Sequence, residues 1–501
     1  MDPIERFLAR VESRRSETSD ILDQTARLKR GQFFTPRETS ALLAEMVPVD
    51  GGQPWRLLDP GAGVGSLSAA LVARWLTETA TPSMQVSAYE IDAELIAPLT
   101  ETLEEAAELA RSLGRELRTA VHATDFVLDP PPAETSSVAL MNPPYGKLGT
   151  ESPERLALEG GEEPIRVTNL YAAFLVRAMR ALSGGGQLIA ITPRSFANGP
   201  YFGDLRKDLL ARAAFERFHV FDARNRLFAD ADVLQENLIF SMRVGGPPSD
   251  VIVSSSRDAS DAPSSRRCAH SKIVHPDDDA RFVRLPLDEE ADVVAERMLA
   301  MPATLADLGL QVSTGRVVDF RVRDHLRPDP GAGAAPLVYP QNLRQGEVAW
   351  PVTGRKPQAL ARAESTERLL LPNEHYVVVK RFSSKEEPRR VMAALCIPEV
   401  FGNAADIAFE NHLNVFHNDG RGLELELAAG LAAYLNSDLV DEFVRQFNGH
   451  TQINATDLRK LKYPSADQLR ELGKTEGEPM GLELHGRAPA SEVDQDATVA
   501  A

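Results

Sequence analysis

At 501 residues with 43% apolar content, the chain can bury at least one large core and has room for two or three domains, which excludes disorder of the whole. Its net charge of -18 excludes a uniformly cationic surface, although residues 311–390 hold 14 Lys/Arg against 9 Asp/Glu, a local +5 that leaves -23 elsewhere. Two cysteines, Cys268 and Cys396, are too few for a disulfide framework and lack zinc-site spacing, so both are read as structural and no metal is expected.

The first residues, MDPIERFLARVESRR, are charged throughout, and no apolar run reaches membrane-spanning length. The expected location is the cytoplasm, with no membrane partner. After an N-terminal helical extension over residues 1–29, short β-rich runs alternate with helical patterns, the mark of a wound, mostly parallel α/β sheet. The patterning predicts strands at 56–58, 85–89, 118–122, 138–141, 188–192 and 215–221, with a long last strand at 233–243. Helices are predicted at 66–77, 93–113, 170–182 and 202–211, the third stopped by Gly184-Gly185-Gly186. These elements form one domain over 30–244. A Ser/Pro/Asp/Gly-rich linker is predicted over 245–280, with room for one short strand, followed by a second α+β domain over 281–470 and a disordered tail over 471–501. No internal repeat is found.

The strongest chemical signal is Met141-Asn142-Pro143-Pro144-Tyr145, directly after the apolar run Ser137-Val138-Ala139-Leu140 and so at the carboxyl end of a strand, where open α/β sheets bind ligands. An Asn side-chain oxygen and the Pro143 carbonyl offer two acceptors on a backbone stiffened by two rings. Such a pair draws a delocalised lone pair back onto nitrogen, which is what a conjugated exocyclic amine such as adenine N6 needs before it can attack. Tyr145 supplies a face on which an extruded base can stack. Alone, the tetrapeptide also reads as a strand-ending turn.

Its surroundings narrow the choice. Asp59-Pro60-Gly61-Ala62-Gly63-Val64-Gly65 is a tight glycine turn between strand and helix, but its third glycine comes one residue early for a nicotinamide fingerprint and no Lys-Ser/Thr pair makes it a P-loop. Glu90, ending the next strand, suits the two hydroxyls of a ribose, and Asp92 reads as a helix cap. Asp125 and Phe126, ending the third, suit an adenine amino group and ring face.

In this order the motifs resemble the gamma-class adenine-N6 DNA methyltransferases, including modification enzymes of the TaqI, Eco57I and BsuBI/PstI type, over most of the chain. The resemblance implies an S-adenosylmethionine-dependent, Rossmann-like catalytic domain with a DNA-recognition domain behind it. Gly31-Gln32-Phe33-Phe34-Thr35-Pro36 stands where that family has an F-x-x-T-P-like segment, implying that Thr35 helps hold the methionine part of the cofactor. Asp59, in the turn with Gly61 and Gly63, would face the methionine amino group, Glu90 the ribose, Ile91 and Phe126 the adenine ring, and Asp125 its amino group. Asn142, Pro143, Pro144 and Tyr145 would hold the target adenine. Asn169-Leu170-Tyr171-Ala172-Ala173-Phe174 matches the family's helix beside the cofactor, with Phe174 read as core. Phe228 precedes the last long strand, where the family places an aromatic against the flipped base, although hairpin packing accounts for it nearly as well. The segments 313–316, 380–383, 411–414 and 448–452 resemble the recognition part of the BsuBI/PstI-type enzymes. Arg316, Lys380 and Arg381 are the expected DNA contacts, the Lys380-Arg381-Phe382 cluster foremost.

The expected partner is double-stranded DNA, with a separately encoded restriction endonuclease if the enzyme belongs to a restriction-modification system, since no Glu-x-Lys nuclease element follows Pro276-Asp277 or Pro328-Asp329 at workable spacing. RNA or protein-glutamine N-methylation is the alternative, encouraged by the acidic total. A silent DNA-binding module is opposed by the intact 142–145 motif, and cytosine C5 chemistry by the lack of a suitable cysteine.

Overall fold

A computed structural model describes residues 2–21, 31, 33–49, 53–221, 237–328, 331, 333–352, 354–383, 387–447 and 452–474. The chain divides into two compact units, residues 1–292 with 446–450, and residues 293–445 with 451–501.

In the first unit the elements run α1 (Pro3–Ile21), α2 (Arg37–Glu45), β1 (Trp55–Pro60), α3 (Ser66–Glu78), β2 (Ser83–Tyr89), α4 (Ala93–Ser112), β3 (Glu116–His122), β4 (Ser136–Met141) and α5 (Pro153–Glu159). They continue with α6 (Leu170–Ala181), β5 (Leu182–Pro193), α7 (Gly203–Arg212), β6 (Ala213–Phe221), β7 (Asn237–Val244), β8 (Val251–Ser256) and β9 (Ser264–Cys268). The nine strands form one sheet in the order β3-β2-β1-β4-β5-β7-β6-β8-β9. β1 to β5 pair in parallel, and β7 lies antiparallel between β5 and β6. The strand order reverses at β1 and β4, so the chain leaves these neighbours in opposite directions and opens a crevice at their carboxyl ends.

Because side chains alternate across a strand, each apolar run feeds both faces of the sheet. Leu58, Ala139, Met141, Leu188 and Ala190 enter one core with α6. Leu57, Val138, Leu140, Ile189 and Ile191 enter the other, with α1 to α4. α1 belongs to this second layer rather than standing apart as an extension: Phe7 and Val11 are buried in it, and Arg14 bonds Glu101, Thr102 and Glu105 of α4.

Two further expectations are corrected. The helix preceding Gly184-Gly185-Gly186 ends at Ala181, and the glycines lie inside β5, where pairing with β4 jumps register between Ser136 and Val138. Glycine at a bulge is the physical reason. Residues 245–280 are not simply a linker, since β8 pairs with β6 and β9 with β8 at the sheet edge. The polar sequence of β9, SSRRC, is what an exposed edge strand carries. The predicted strand at 233–243 is seen from Asn237, residues 233–236 lying outside the described part.

Among the described residues, the second unit holds two small sheets and several helices. Six strands run in the order Gln311–Thr314, Leu413–His417, Tyr376–Lys380, Ala393–Cys396, Glu347–Val348 and Leu343–Arg344. Five more run Leu326–Arg327, Ala359–Ala361, Ala334–Val338, Asp406–Phe409 and Leu370–Pro372. No described helix is long and apolar enough to cross a membrane.

Candidate functional site

The carboxyl ends of β1 to β4 meet at a cavity of about 1020 Å³ lined by Gly61, Gly63, Glu90, Asp125, Phe126 and Asn142, together with residues from the segment before α2. The turn after β1 is fixed by the N–H groups of Gly61 and Ala62, which donate to the Tyr89 carbonyl at 2.8 and 2.9 Å. Gly63 has φ of 58° and turns its N–H onto Glu90 Oε2 at 2.9 Å, a left-handed conformation that a side chain would strain. Glu90 Oε1 accepts from Asp92 N at 2.9 Å. Burial pushes the Glu90 carboxyl above its ordinary range, and these backbone donors oppose the shift. Each carboxylate oxygen keeps a further lone pair. Asp92 caps α4 by accepting from Glu94 N at 3.2 Å.

Asp125 Oδ1 accepts from Val127 N at 2.7 Å and Leu128 N at 3.1 Å, which orients the carboxylate and leaves Oδ2 for another donor. Phe126 packs against Tyr89 and Phe174 with ring centroids 5.3 and 5.2 Å away. Phe174 serves both as core, at 8% exposed, and as cavity wall. Ile91, by contrast, is 65% exposed at the rim.

Asp59 and Thr35 stand behind the cavity lining. Asp59 is fully buried, with Oδ2 accepting from Ser68 Oγ at 2.6 Å and Oδ1 without a hydrogen-bond partner among the described residues. Burial pushes its carboxyl up to about 7, against the Ser68 bond. Thr35 is buried and turns its Oγ1 toward Asn142.

Asn142 donates from Nδ2 to the Phe33 carbonyl at 2.9 Å and to Thr35 Oγ1 at 3.1 Å. The Phe33 carbonyl can only accept, so a flipped amide would set two oxygens against each other; this fixes Nδ2 on that side and leaves Oδ1 as the end available to a donor. In the structure that donor is the Tyr145 hydroxyl, at 3.1 Å. Burial holds this phenol far above its ordinary pKa, so it remains a neutral donor. Gly31 clamps the motif: its carbonyl accepts from Tyr145 N at 3.2 Å, and a Cβ there would fall 2.6 Å from that nitrogen. Pro143 is buried and Pro144 lines the cavity.

The chain is similar to proteins of known class. Residues 137–228 match the model of the Eco57I restriction-modification methylase family. The chain is 38% identical over 472 residues to the type II methyltransferase M.PstI of Providencia stuartii, covering 92% of each. It is 39% identical over 482 residues to the type II methyltransferase M.BsuBI of Bacillus subtilis, covering 94% of each. The chain belongs to this type II methyltransferase family. Among solved structures it is similar to the DrdV–DNA complex, 12% identical with a TM-score of 0.49 and covering 89% of this chain and 57% of that one.

In the second unit of the methyltransferase the cations are placed differently from the sequence expectation. Lys380 pairs with Glu387 at 2.9 Å. Arg381 bonds the Asn411 carbonyl at 3.3 Å and the side-chain oxygens of Gln452 and Asn454 at 3.4 and 3.5 Å, and its backbone bridges His412 and Ile453. These partners tie Lys380 and Arg381 into the domain's own bonding, and Lys385 of the same cluster lies outside the described residues. Arg389 pairs with Asp438 and Arg390 is buried. Asn414 is buried, bonding the Ile453 carbonyl. Arg316 is exposed and forms no ion pair among the described residues, its Nη1 bonding the carbonyls of Arg368 and Leu370. Phe228 and residues 448–451 lie outside the described residues.

Sequence reasoning overlooked the Phe33 carbonyl, Gly31 and the cavity-wall role of Phe174. The first two sit inside the Gly31–Pro36 segment, and their signal was there: a glycine and two aromatics before a Thr-Pro. Both act on the 142–145 motif through contacts more than 100 positions apart in sequence, which spacing alone does not expose. Among the described residues no cluster of three or more His, Cys, Asp or Glu side chains is set to hold a metal.

Proposed function

We propose that this methyltransferase transfers a methyl group from S-adenosylmethionine to the exocyclic N6 of an adenine rotated out of double-stranded DNA, as the modification activity of a restriction-modification system. The observation that carries the reading is the Asn142 amide, locked by Phe33 and Thr35 so that an acceptor oxygen stands at the cavity wall.

The residues fit the cofactor on one feature in particular, the buried Asp59 Oδ1, an unsatisfied acceptor that an ammonium group would satisfy. Asp59, Gly61 and Gly63 would hold its methionine part with Thr35 nearby, Glu90 its ribose, Ile91 and Phe126 its adenine ring, and Asp125 Oδ2 its amino group. When bound, the cofactor supplies an electrophilic methyl group. Asn142 Oδ1 and the Pro143 carbonyl accept the two N–H bonds of the target amine and so concentrate its lone pair for attack. The Tyr145 hydroxyl now on Asn142 Oδ1 gives way to that N–H, and its ring supports the base face. No ionised base is asked of Tyr145, consistent with its raised pKa. Cysteine chemistry on cytosine is disfavoured because Cys268 and Cys396 are both buried.

The test offers purified protein and methyl-labelled S-adenosylmethionine to duplex DNA, RNA and a glutamine-containing protein. The reading expects label only in DNA and, after digestion, only as N6-methyladenine; label in RNA or protein would support the alternative.

A further inference from the structure

A second cavity, about 660 Å³, lies wholly within the second unit and is lined by Ser313, Arg316, His417, Asp419 and Arg459 among others. We infer that this cavity is a phosphodiester-binding site that grips the DNA backbone, an inference that rests on the DNA reading above and names the residues that would carry it.

Its donors are set by one hydrogen-bond chain. Gly420 N donates to His417 Nδ1 at 3.1 Å, so that nitrogen carries no proton and the neutral ring must hold its proton on Nε2. Nε2 lies 2.9 Å from Ser313 Oγ and therefore donates to it. The Ser313 hydroxyl accepts from histidine, and its own proton, without another acceptor among the described residues, is left for a ligand in the cavity. Burial and the Arg316 charge both hold His417 below its ordinary pKa, which keeps the ring in this neutral state against the opposing influence of Asp419.

Two guanidinium groups complete the site. Arg459 donates from Nη2 to the Val312 carbonyl at 2.9 Å, and Arg316 from Nη1 to the carbonyls of Arg368 and Leu370 at 3.2 and 3.4 Å. Neither forms an ion pair among the described residues. Each is therefore oriented through one nitrogen by backbone acceptors, with its other N–H groups left to a ligand. Asp419 is the single carboxylate of the lining, so the cationic charge exceeds the anionic. A hydroxyl donor and two oriented arginines match the oxygens of a phosphodiester. In this the cavity differs from Lys380, whose charge is already answered by Glu387.

The experiment titrates the full chain with labelled duplexes of unrelated sequence across a series of salt concentrations. Arg316→Gln and Arg459→Gln are each expected to weaken binding roughly tenfold and to lower the salt slope by about one, equally for all duplexes. Ser313→Ala removes only a neutral donor and spares the carbonyl bonds of Arg316, so it guards against misfolding: affinity should fall about three- to tenfold at the parent's slope. S-adenosylmethionine affinity should match the parent's in all three. Parental affinity and slope in either arginine variant would overturn the site, as would a loss confined to one duplex sequence, which would mean base reading. If the parent binds no duplex, the DNA reading itself falls and this inference with it; parental binding with unaltered variants overturns the inference alone.

Discussion

At the carboxyl edge of the large sheet Glu90, Asp125 and Asn142 each take backbone partners, whereas in the 380–390 segment of the second unit Lys380 and Arg389 take carboxylate side chains. Glu90 takes the N–H groups of Gly63 and Asp92, and Asn142 gives its own N–H to the Phe33 carbonyl. Lys380 and Arg389, by contrast, are answered by the carboxylates of Glu387 and Asp438. A backbone partner is supplied by strand order and turn geometry, so the chemistry at the sheet edge follows from the motifs and their sequence. A side-chain partner depends on which acidic residue the fold brings near, so a basic run alone does not tell an open cation from a paired one. In the second unit the proposed phosphate contacts, Arg316 among them, are the cations that form no ion pair among the described residues.

The largest effect should come from breaking the backbone-held site. Asn142→Ala is expected to lower the single-turnover rate of methyl transfer by about 10²- to 10³-fold, the scale for losing one acceptor or donor aimed at a developing charge, with cofactor affinity within a few fold of the parent. Equal losses in cofactor binding and rate would place Asn142 in the cofactor site instead.

Thr35→Val comes next and sharpens the same point. The structure has Thr35 Oγ1 on Asn142, so loss of one hydrogen bond, about 1 kcal/mol, should lower kcat roughly five- to tenfold. The family resemblance assigns Thr35 to the cofactor, and a rise in the cofactor's Kd at unchanged kcat would favour that role over the one seen here.

pH probes Asp59. With its carboxyl raised from 3.8 to about 7 in the free protein, Asp59 contributes stability in acid that is lost as pH rises through about 7. If its ionised form receives the methionine ammonium, S-adenosylmethionine affinity should climb by up to about tenfold per pH unit below that value and level off above it. Calorimetric titration from acid to neutral pH in the parent and in Asp59→Asn checks this; a flat parental profile would remove Asp59 from the cofactor site.

The smallest effect is expected at Lys380. Lys380→Gln opens a partly exposed ion pair, worth about 0–1 kcal/mol, and should leave the salt dependence of DNA binding at the parent's slope. A slope lower by about one would return Lys380 to the phosphate contacts and blur the contrast between paired and unpaired cations.

Much of this was legible from residues alone. The β1–β5 and β6 cores of the sheet, the Asp92 cap and the placing of Glu90, Asp125 and Asn142 at one edge follow from short apolar runs and the turns that end them. What escaped was whatever depends on distant partners. β8 and β9 look like linker because Ser, Pro and Asp crowd the stretch around them, and only the pairing of β8 with β6 and of β9 with β8 makes them strands. α1 looks like an appendage because its partners, Glu101 and Glu105, lie far along the chain. The His417–Ser313 chain joins residues 104 positions apart, and neither is distinctive in its own segment.

The most direct test of the central claim, that Asn142 presents an acceptor to an adenine amine, is single-molecule sequencing of DNA from a methylation-deficient host expressing either the parent or Asn142→Ala. The account predicts N6-methyladenine at one recurrent motif with the parent and a strongly diminished signal at that motif with the variant. Unmodified adenines with the parent, methylated cytosines, or an undiminished adenine signal with the variant would contradict it.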